Sequence, residues 1–153
     1  MARLETIQEI AQPPRVVYAF FVPQRLPFWY GTEMHAEIEV SGEADEFAAG
    51  QKVRITGKLA GRSVTHTAVI TQYQWGVVFE WRFLDAYGVR GTERWEFEPL
   101  QVGDAEGTRV RMINDYEVSG RLARVADKLF TRRSLARRNR DCLARLKRLA
   151  EHG

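Results

Sequence analysis

The 153-residue chain has little of what several classes of protein require. It contains one cysteine and three histidines, so it has no internal disulfide and no Cys/His spacing typical of a metal site. It has neither a Gly-rich phosphate loop nor a nucleophile-elbow sequence. Its longest apolar run is too short to cross a bilayer, and no signal-like segment precedes the first expected strand. We therefore expect a cytoplasmic protein without a bound metal or cofactor.

What is present is the composition of an ordinary globular domain. The chain is 44% apolar and 28% charged, which is typical of soluble proteins. Its length suits one domain over residues 1–153 that buries roughly 68–70% of its unfolded surface. The lone Cys142 falls at an apolar position of the last helical segment, and we interpret it as a small buried hydrophobe rather than a nucleophile.

Two short helices are expected directly after the first strand. Pro13 and Pro14 suit the first turn of a helix, where a missing N–H costs nothing. Pro23 interrupts the helical pattern, and Gly31 ends the apolar cluster that follows. The apolar residues of the first helix are Val17, Phe20 and Phe21, and those of the second are Leu26, Phe28, Trp29 and Tyr30.

Beyond Gly31 the hydrophobic period changes to two, and a helical period returns only at Gly120. The chain order is therefore one strand, two helices, six strands and a long helix. The expected strands are Arg3 to Ile10, His35 to Ser41, Gln51 to Leu59, Ser63 to Gln72, Val77 to Leu84, Val89 to Pro99 and Thr108 to Val118.

Several short stretches accompany this order of elements: residues 11–17, 19–20, 26–30, 70–73, 98–99, 107–110 and 143–151. With them the chain resembles the START-like (SRPBCC) superfamily, and within it the polyketide cyclase/dehydrase and coenzyme Q-binding branch. The resemblance implies an α+β helix-grip fold, in which a curved seven-stranded antiparallel sheet wraps around the long C-terminal helix. The chain departs from the family pattern at Val22, where an Asp usually precedes the proline.

The resemblance also implies a function. We expect a carrier or sensor that binds a hydrophobic small molecule, such as a lipid, isoprenoid quinone or polyketide, between the sheet and the helix. An alternative is a polyketide aromatase/cyclase or dehydratase, which needs only a shaped cavity and one or two polar groups. The acid/base candidates for such an enzyme are Glu93, His66 and Tyr116.

Strand alternation and aromatic content predict which residues line that cavity. Glu93 and Asn114 fall on the apolar side of their strands, where a polar group needs a partner, water or a ligand. His66 is either a wall residue or faces outward, and a filled aromatic core is the alternative to a cavity. The candidate lining residues are Trp29, Tyr30, His66, Phe79, Trp81, Phe83, Glu93, Trp95, Met112, Asn114, Tyr116, Leu129, Arg133 and Ala136.

Charge is distributed unevenly along the chain. From Gly120 onward the chain has eleven basic and three acidic residues, a net charge of +8. The rest of the chain has twelve basic and seventeen acidic residues, a net charge of −5. The apolar stripe of this last helix thins at Arg132 to Ser134 and at Arg137 to Asp141. Either Arg133, Ala136 and Asn139 or Arg140 line a pocket there, or the helix is rotated so that they reach solvent. The charge suits a solvated helix face, or attraction to an anionic membrane or acidic protein partner. We expect no nucleic-acid binding, and a monomer or homodimer.

Overall fold

Seven antiparallel strands form a single curved sheet. The computed structural model describes residues 2–42, 45–59, 61–84, 89–118 and 132–152. The strands lie in the order β1-β7-β6-β5-β4-β3-β2. Their bounds are β1 Ala2–Ile10, β2 Glu37–Val40, β3 Lys52–Leu59, β4 Arg62–Gln74, β5 Val78–Leu84, β6 Val89–Val102 and β7 Ala105–Val118. The number and chain order of strands predicted from the sequence are confirmed.

The hairpin between β6 and β7 is longer than the sequence predicts. The predicted end of β6 at Pro99 and the predicted start of β7 at Thr108 were wrong, because Val102 pairs with Ala105 and Leu100 pairs with Gly107. Only two residues remain for the turn, and the first, Gly103, has the positive φ of 62° that a tight hairpin turn requires. This extension makes β6 and β7 the longest strands of the sheet.

Only one of the two predicted short helices is an α-helix. Helix α1 spans Pro14–Tyr18 and begins with proline at its first position, as predicted. The predicted second helix is instead a 3-10 turn, Leu26–Phe28, with Pro27 in its first turn. A further 3-10 turn, Thr32–Met34, follows. That turn packs directly on β3 at Gly57. Any side chain at this position would clash with it, since an added Cβ would lie 2.6 Å from the carbonyl oxygen of Met34.

The long helix α2, Arg132–His152, packs on the inner face of the sheet and contacts β1 and α1. Its buried residues are Asn139, Cys142, Leu143, Leu146 and Ala150. The last turn is tied to the end of β1: the Glu151 carboxylate accepts a hydrogen bond from the Ala11 backbone N–H at 2.9 Å. Residues 120–131 of the predicted helix lie outside the described residues. No helix in the described ranges is both long and apolar enough to cross a membrane.

The two faces of the sheet differ in polarity as the alternation predicts. On the outer face Arg94 bridges Glu80 at 3.1 Å and Glu96 at 2.8 Å. On the inner face apolar side chains are covered by α1, the 3-10 turns and α2. A shift of register between Ile70 and Gln72 marks a bulge in β4, and such bulges bend a sheet.

Candidate functional site

One half of the inner face is filled by aromatic rings. The Phe21 ring lies 4.7 Å from Trp29 and 5.4 Å from Phe79, centroid to centroid, and the Trp29 indole N–H donates to the Phe20 carbonyl at 2.9 Å. Trp95 packs edge-on against Phe79 at 5.4 Å. The predicted lining residues in this filled region, which border none of the cavities described below, are Trp29, Phe79, Trp95 and Met112.

The other half contains a cavity of about 240 Å³ that is partly open to solvent. We call it the enclosed cavity because it lies between the sheet and α2. Its apolar wall is formed by Met34, Ile55, Ala68, Trp81, Phe83, Val89 and Leu135, and its polar residues include Tyr30, His66, Glu93, Ser134 and Arg138. Five predicted lining residues border it: Tyr30, His66, Trp81, Phe83 and Glu93. Small-molecule sites usually measure roughly 300–1,000 Å³, so this one suits a compact ligand.

Glu93 is the centre of the polar cluster in this cavity, and its side chain is 1% exposed. One carboxylate oxygen accepts hydrogen bonds from the Tyr30 hydroxyl at 2.9 Å and from the Trp81 indole N–H at 3.1 Å. The other accepts from the Arg138 guanidinium at 2.5 Å. A buried carboxylate is costly unless it is paired and hydrogen-bonded. Three donors, one of them cationic, meet that requirement here.

Arg138 is the residue of this cluster that the sequence analysis did not nominate. Burial is the largest single influence on the pKa of Arg138 and lowers it, but Glu93 and, after it, Tyr30 raise it, and together these raising effects make the net shift upward. Its guanidinium also lies 5.8 Å from the centre of the Tyr30 ring, within range of a cation–π interaction. Burial, and after it Glu93, raises the pKa of Tyr30 well above its usual value. The tyrosine therefore stays protonated as a donor and the arginine stays charged.

A pair of asparagines continues the cluster beneath α2. Asn139 donates to the Asn114 side-chain oxygen at 2.7 Å and accepts from Arg138 at 3.3 Å. Asn114 and Glu93 are register partners on β7 and β6, so the sheet places both under the same turn of the helix. The Asn114 side-chain nitrogen has no hydrogen-bond partner in the described part of the chain. Asn114 thus lies on the inner face as predicted, but it contacts the helix rather than the enclosed cavity.

The remaining nominated residues lie elsewhere. Tyr116 is fully buried and does not border the enclosed cavity. Leu129 lies outside the described residues. Cys142 is buried, as expected for a small hydrophobe, and burial raises the pKa of its thiol. Within the described ranges no group of three or more His, Cys, Asp or Glu side chains is placed to hold a metal ion.

Arg133 and Ala136 border a second concavity, of about 650 Å³, on the solvent side of α2. We call it the arginine pocket because five arginines line it: Arg133, Arg137, Arg138, Arg140 and Arg145. Glu33 and Asp141 also border it. Arg133 and Arg140 are exposed and border this pocket, but neither they nor Ala136 and Asn139 border the enclosed cavity.

The largest concavity, about 990 Å³, lies on the outer face of the sheet. It is bordered by exposed side chains such as Arg54, Thr67 and Arg82, which alternate with inward-facing residues. None of the described residues that border it is a buried polar group. The enclosed cavity, in contrast, is bordered by the buried carboxylate of Glu93, so we take the smaller cavity as the candidate site.

The sequence matches, over residues 1–151, a family described as polyketide cyclase/dehydrase and lipid transport. The chain belongs to this family. The START-like resemblance predicted from the sequence is thereby confirmed, and the family together with the fold supports a role in hydrophobic-ligand binding or one like that of a polyketide cyclase.

Solved structures with the same helix-grip fold cover nearly the whole chain. The Zhui aromatase/cyclase from Streptomyces sp. R1128 is 18% identical, with 97% of this chain and 95% of that chain covered and a TM-score of 0.62. Protein DR_A0006 from Deinococcus radiodurans is 22% identical, with 98% of both chains covered and a TM-score of 0.64. Ara h 8.0201 is 10% identical, with 97% of both covered and a TM-score of 0.67. No curated protein matches the sequence significantly. At these identities the structural likeness establishes the fold alone.

The site of this family member contains residues that sequence reasoning missed. Arg138 was passed over as part of the charged helix, although it lies three residues after Leu135 and four before Cys142, on the buried side of α2. An arginine on the buried face of a helix and a glutamate on the apolar face of a strand together indicate an ion pair. Met34 and Ile55 carry no comparable signal, because their place in the wall depends on how the 3-10 turn folds over β3.

Proposed function

We propose that this protein binds a compact hydrophobic molecule with one polar end in the enclosed cavity, as a carrier or sensor. The observation that carries the proposal is the combination of apolar walls with a hydrogen-bonded polar cluster, formed by Tyr30, Glu93 and Arg138. Ligand sites typically pair such walls with a few fixed polar groups that orient the ligand.

The hydrogen bonding of the cluster favours binding over proton transfer. Both oxygens of Glu93 already accept from donors, and the Tyr30 hydroxyl already donates to one of them. A general base needs a free oxygen within reach of the proton it removes. Arg138, in contrast, uses Nε and Nη2 for its hydrogen bonds to described residues. Its Nη1 group makes no hydrogen bond to those residues, and we assign it to a polar atom of the ligand.

The volume supports a compact ligand. A cavity of about 240 Å³ holds roughly eight water-sized volumes, which suits one or two fused rings or the end of a longer molecule.

Native mass spectrometry of freshly purified protein, followed by organic extraction, tests the proposal. We expect a stoichiometric apolar adduct. Ala68→Leu adds bulk at the cavity wall and should reduce the adduct at least tenfold, whereas Ala144→Leu on the exposed side of α2 should leave it unchanged. A clean apo mass, with no uptake of fatty acids, quinones or aromatic polyketides, would contradict the proposal.

A second candidate is a polyketide cyclase or dehydratase. It is favoured by His66, a side chain able to move protons that borders the enclosed cavity, and by the fold shared with the Zhui aromatase/cyclase. His66→Ala should then abolish turnover of a poly-β-keto substrate while leaving binding intact. Glu93 is a poor choice for this test, since its loss leaves Arg138 without its partner.

A further inference from the structure

Three arginines of the arginine pocket share one stripe of α2. Arg133, Arg137 and Arg140 recur at i, i+4 and i+7, so they lie on one side of the helix within about 10 Å along its axis. All three are exposed. Like charges one turn apart destabilise a helix, so the stripe does not serve the stability of α2.

These three charges are uncompensated among the described residues. No Asp or Glu oxygen of those residues lies within 4.0 Å of their guanidinium groups, whereas Arg138 pairs with Glu93 and Arg145 pairs with Glu33 at 3.5 Å. The acidic residues bordering the pocket, Glu33 and Asp141, are outnumbered by its five arginines. The pocket therefore attracts anions.

The arginine pocket adjoins the enclosed cavity. Both are bordered by Glu33, Ser134 and Arg138. Arg138 thus lies between an apolar compartment and a cationic one. A molecule with an apolar body in the first reaches the second with its polar end.

We infer that the ligand is a phosphate monoester of a compact hydrophobic molecule, with its phosphate in the arginine pocket and its apolar part in the enclosed cavity. This inference rests on the proposed function. A phosphate monoester carries about −1.5 to −2 charges at pH 7 and three strong acceptor oxygens. Guanidinium groups match that geometry with paired N–H donors. The positive charge of three guanidinium groups also suits a phosphate better than it suits a carboxylate, which carries a single negative charge.

Isothermal titration of the full chain with a matched pair of probes tests this inference. The probes are 1-naphthol and 1-naphthyl phosphate, which share one apolar group, with inorganic phosphate as the third. We expect 1-naphthyl phosphate to bind at least tenfold more tightly than either of the others. In the double variant R137Q/R140Q this advantage over 1-naphthol should fall below threefold, with 1-naphthol binding unchanged. The control R62Q/R148Q removes the same charge at exposed positions away from the pocket and should behave as wild type.

The contrary outcomes separate the two proposals. Equal binding of 1-naphthol and 1-naphthyl phosphate would overturn the inference and leave the cavity as the site. Equal binding of inorganic phosphate and 1-naphthyl phosphate would show an anion site unconnected with the cavity, which also overturns it. Binding of none of the three would overturn the proposed function and the inference with it. Arginine-dependent sedimentation with phosphatidic acid vesicles, unaffected by 1-naphthyl phosphate, would assign the stripe to a membrane surface instead.

Discussion

The two halves of the inner face use the same sheet and the same helix but differ in how their space is filled. The packed half is built from Phe21, Trp29, Phe79, Trp95 and Phe97, whose rings meet at tilted or edge-on angles. The cavity half is built from Tyr30, His66, Trp81, Phe83 and Glu93 and keeps about 240 Å³ open. Aromatic content alone therefore does not indicate a cavity.

The boundary between the halves is a single row of residues across the sheet. Trp81 and Asn114 pair with Glu93 in register, and the next row pairs Phe79 and Met112 with Trp95. Two successive inward-facing positions of β6 therefore differ in surroundings: Trp95 lies in the filled core, and Glu93 lies in the polar cluster. The cluster leaves room beside it because its side chains are held toward each other by hydrogen bonds rather than packed against the opposite wall.

The largest difference between the halves is expected from truncating a phenylalanine in each. Phe21→Ala removes a fully buried ring that contacts five other rings and should lower the free energy of unfolding by about 3–5 kcal/mol. Phe83→Ala enlarges an existing cavity at a half-buried position and should cost about 1–2 kcal/mol. Urea unfolding measures both. An equal loss in the two variants would mean that the halves are packed alike.

A somewhat smaller loss is expected at the boundary. Arg138→Ala leaves the buried Glu93 carboxylate without its cationic partner and should cost about 3 kcal/mol in urea unfolding. The matched control is Arg90→Ala on the outer face, where both side chains of the Arg90–Glu117 pair are largely exposed and the loss should stay below about 1 kcal/mol. If both variants lost the same stability, Arg138 would be an ordinary surface arginine.

The smallest effect concerns the tie between α2 and the packed half. Hydrogen bonds from the Ala11 backbone N–H and then from Lys147 lower the pKa of Glu151. Its contribution to stability is therefore present above the unfolded-state pKa of about 4.3 and is lost as pH falls through the lowered folded-state pKa.

Glu151→Gln should accordingly cost about 1 kcal/mol at pH 7 and much less at pH 2, as measured by urea unfolding at both pH values. A loss of the same size at both would show that the carboxylate charge contributes nothing to holding the helix end.

Much of this arrangement follows from local sequence. The strand alternation places Glu93 and Asn114 on the inner face, and the structure shows both buried there. Pro14 begins α1 as predicted. The second short helix was not predictable as a 3-10 turn from its apolar cluster, because the chain directly after it packs on Gly57, which is distant in sequence.

What the sequence by itself determined is the periodicity: which side chains face inward, in what order the strands and helices follow, and that α2 is basic. Those properties depend on residues close together in the chain, so local spacing determines them. Only the tertiary structure decided which inward residues fill space and which surround it. Glu93 meets Arg138 across 45 residues of chain, and Phe21 reaches Trp95 from a different element. Such distant contacts depend on how the sheet curves and how the helix crosses it, which no local pattern specifies.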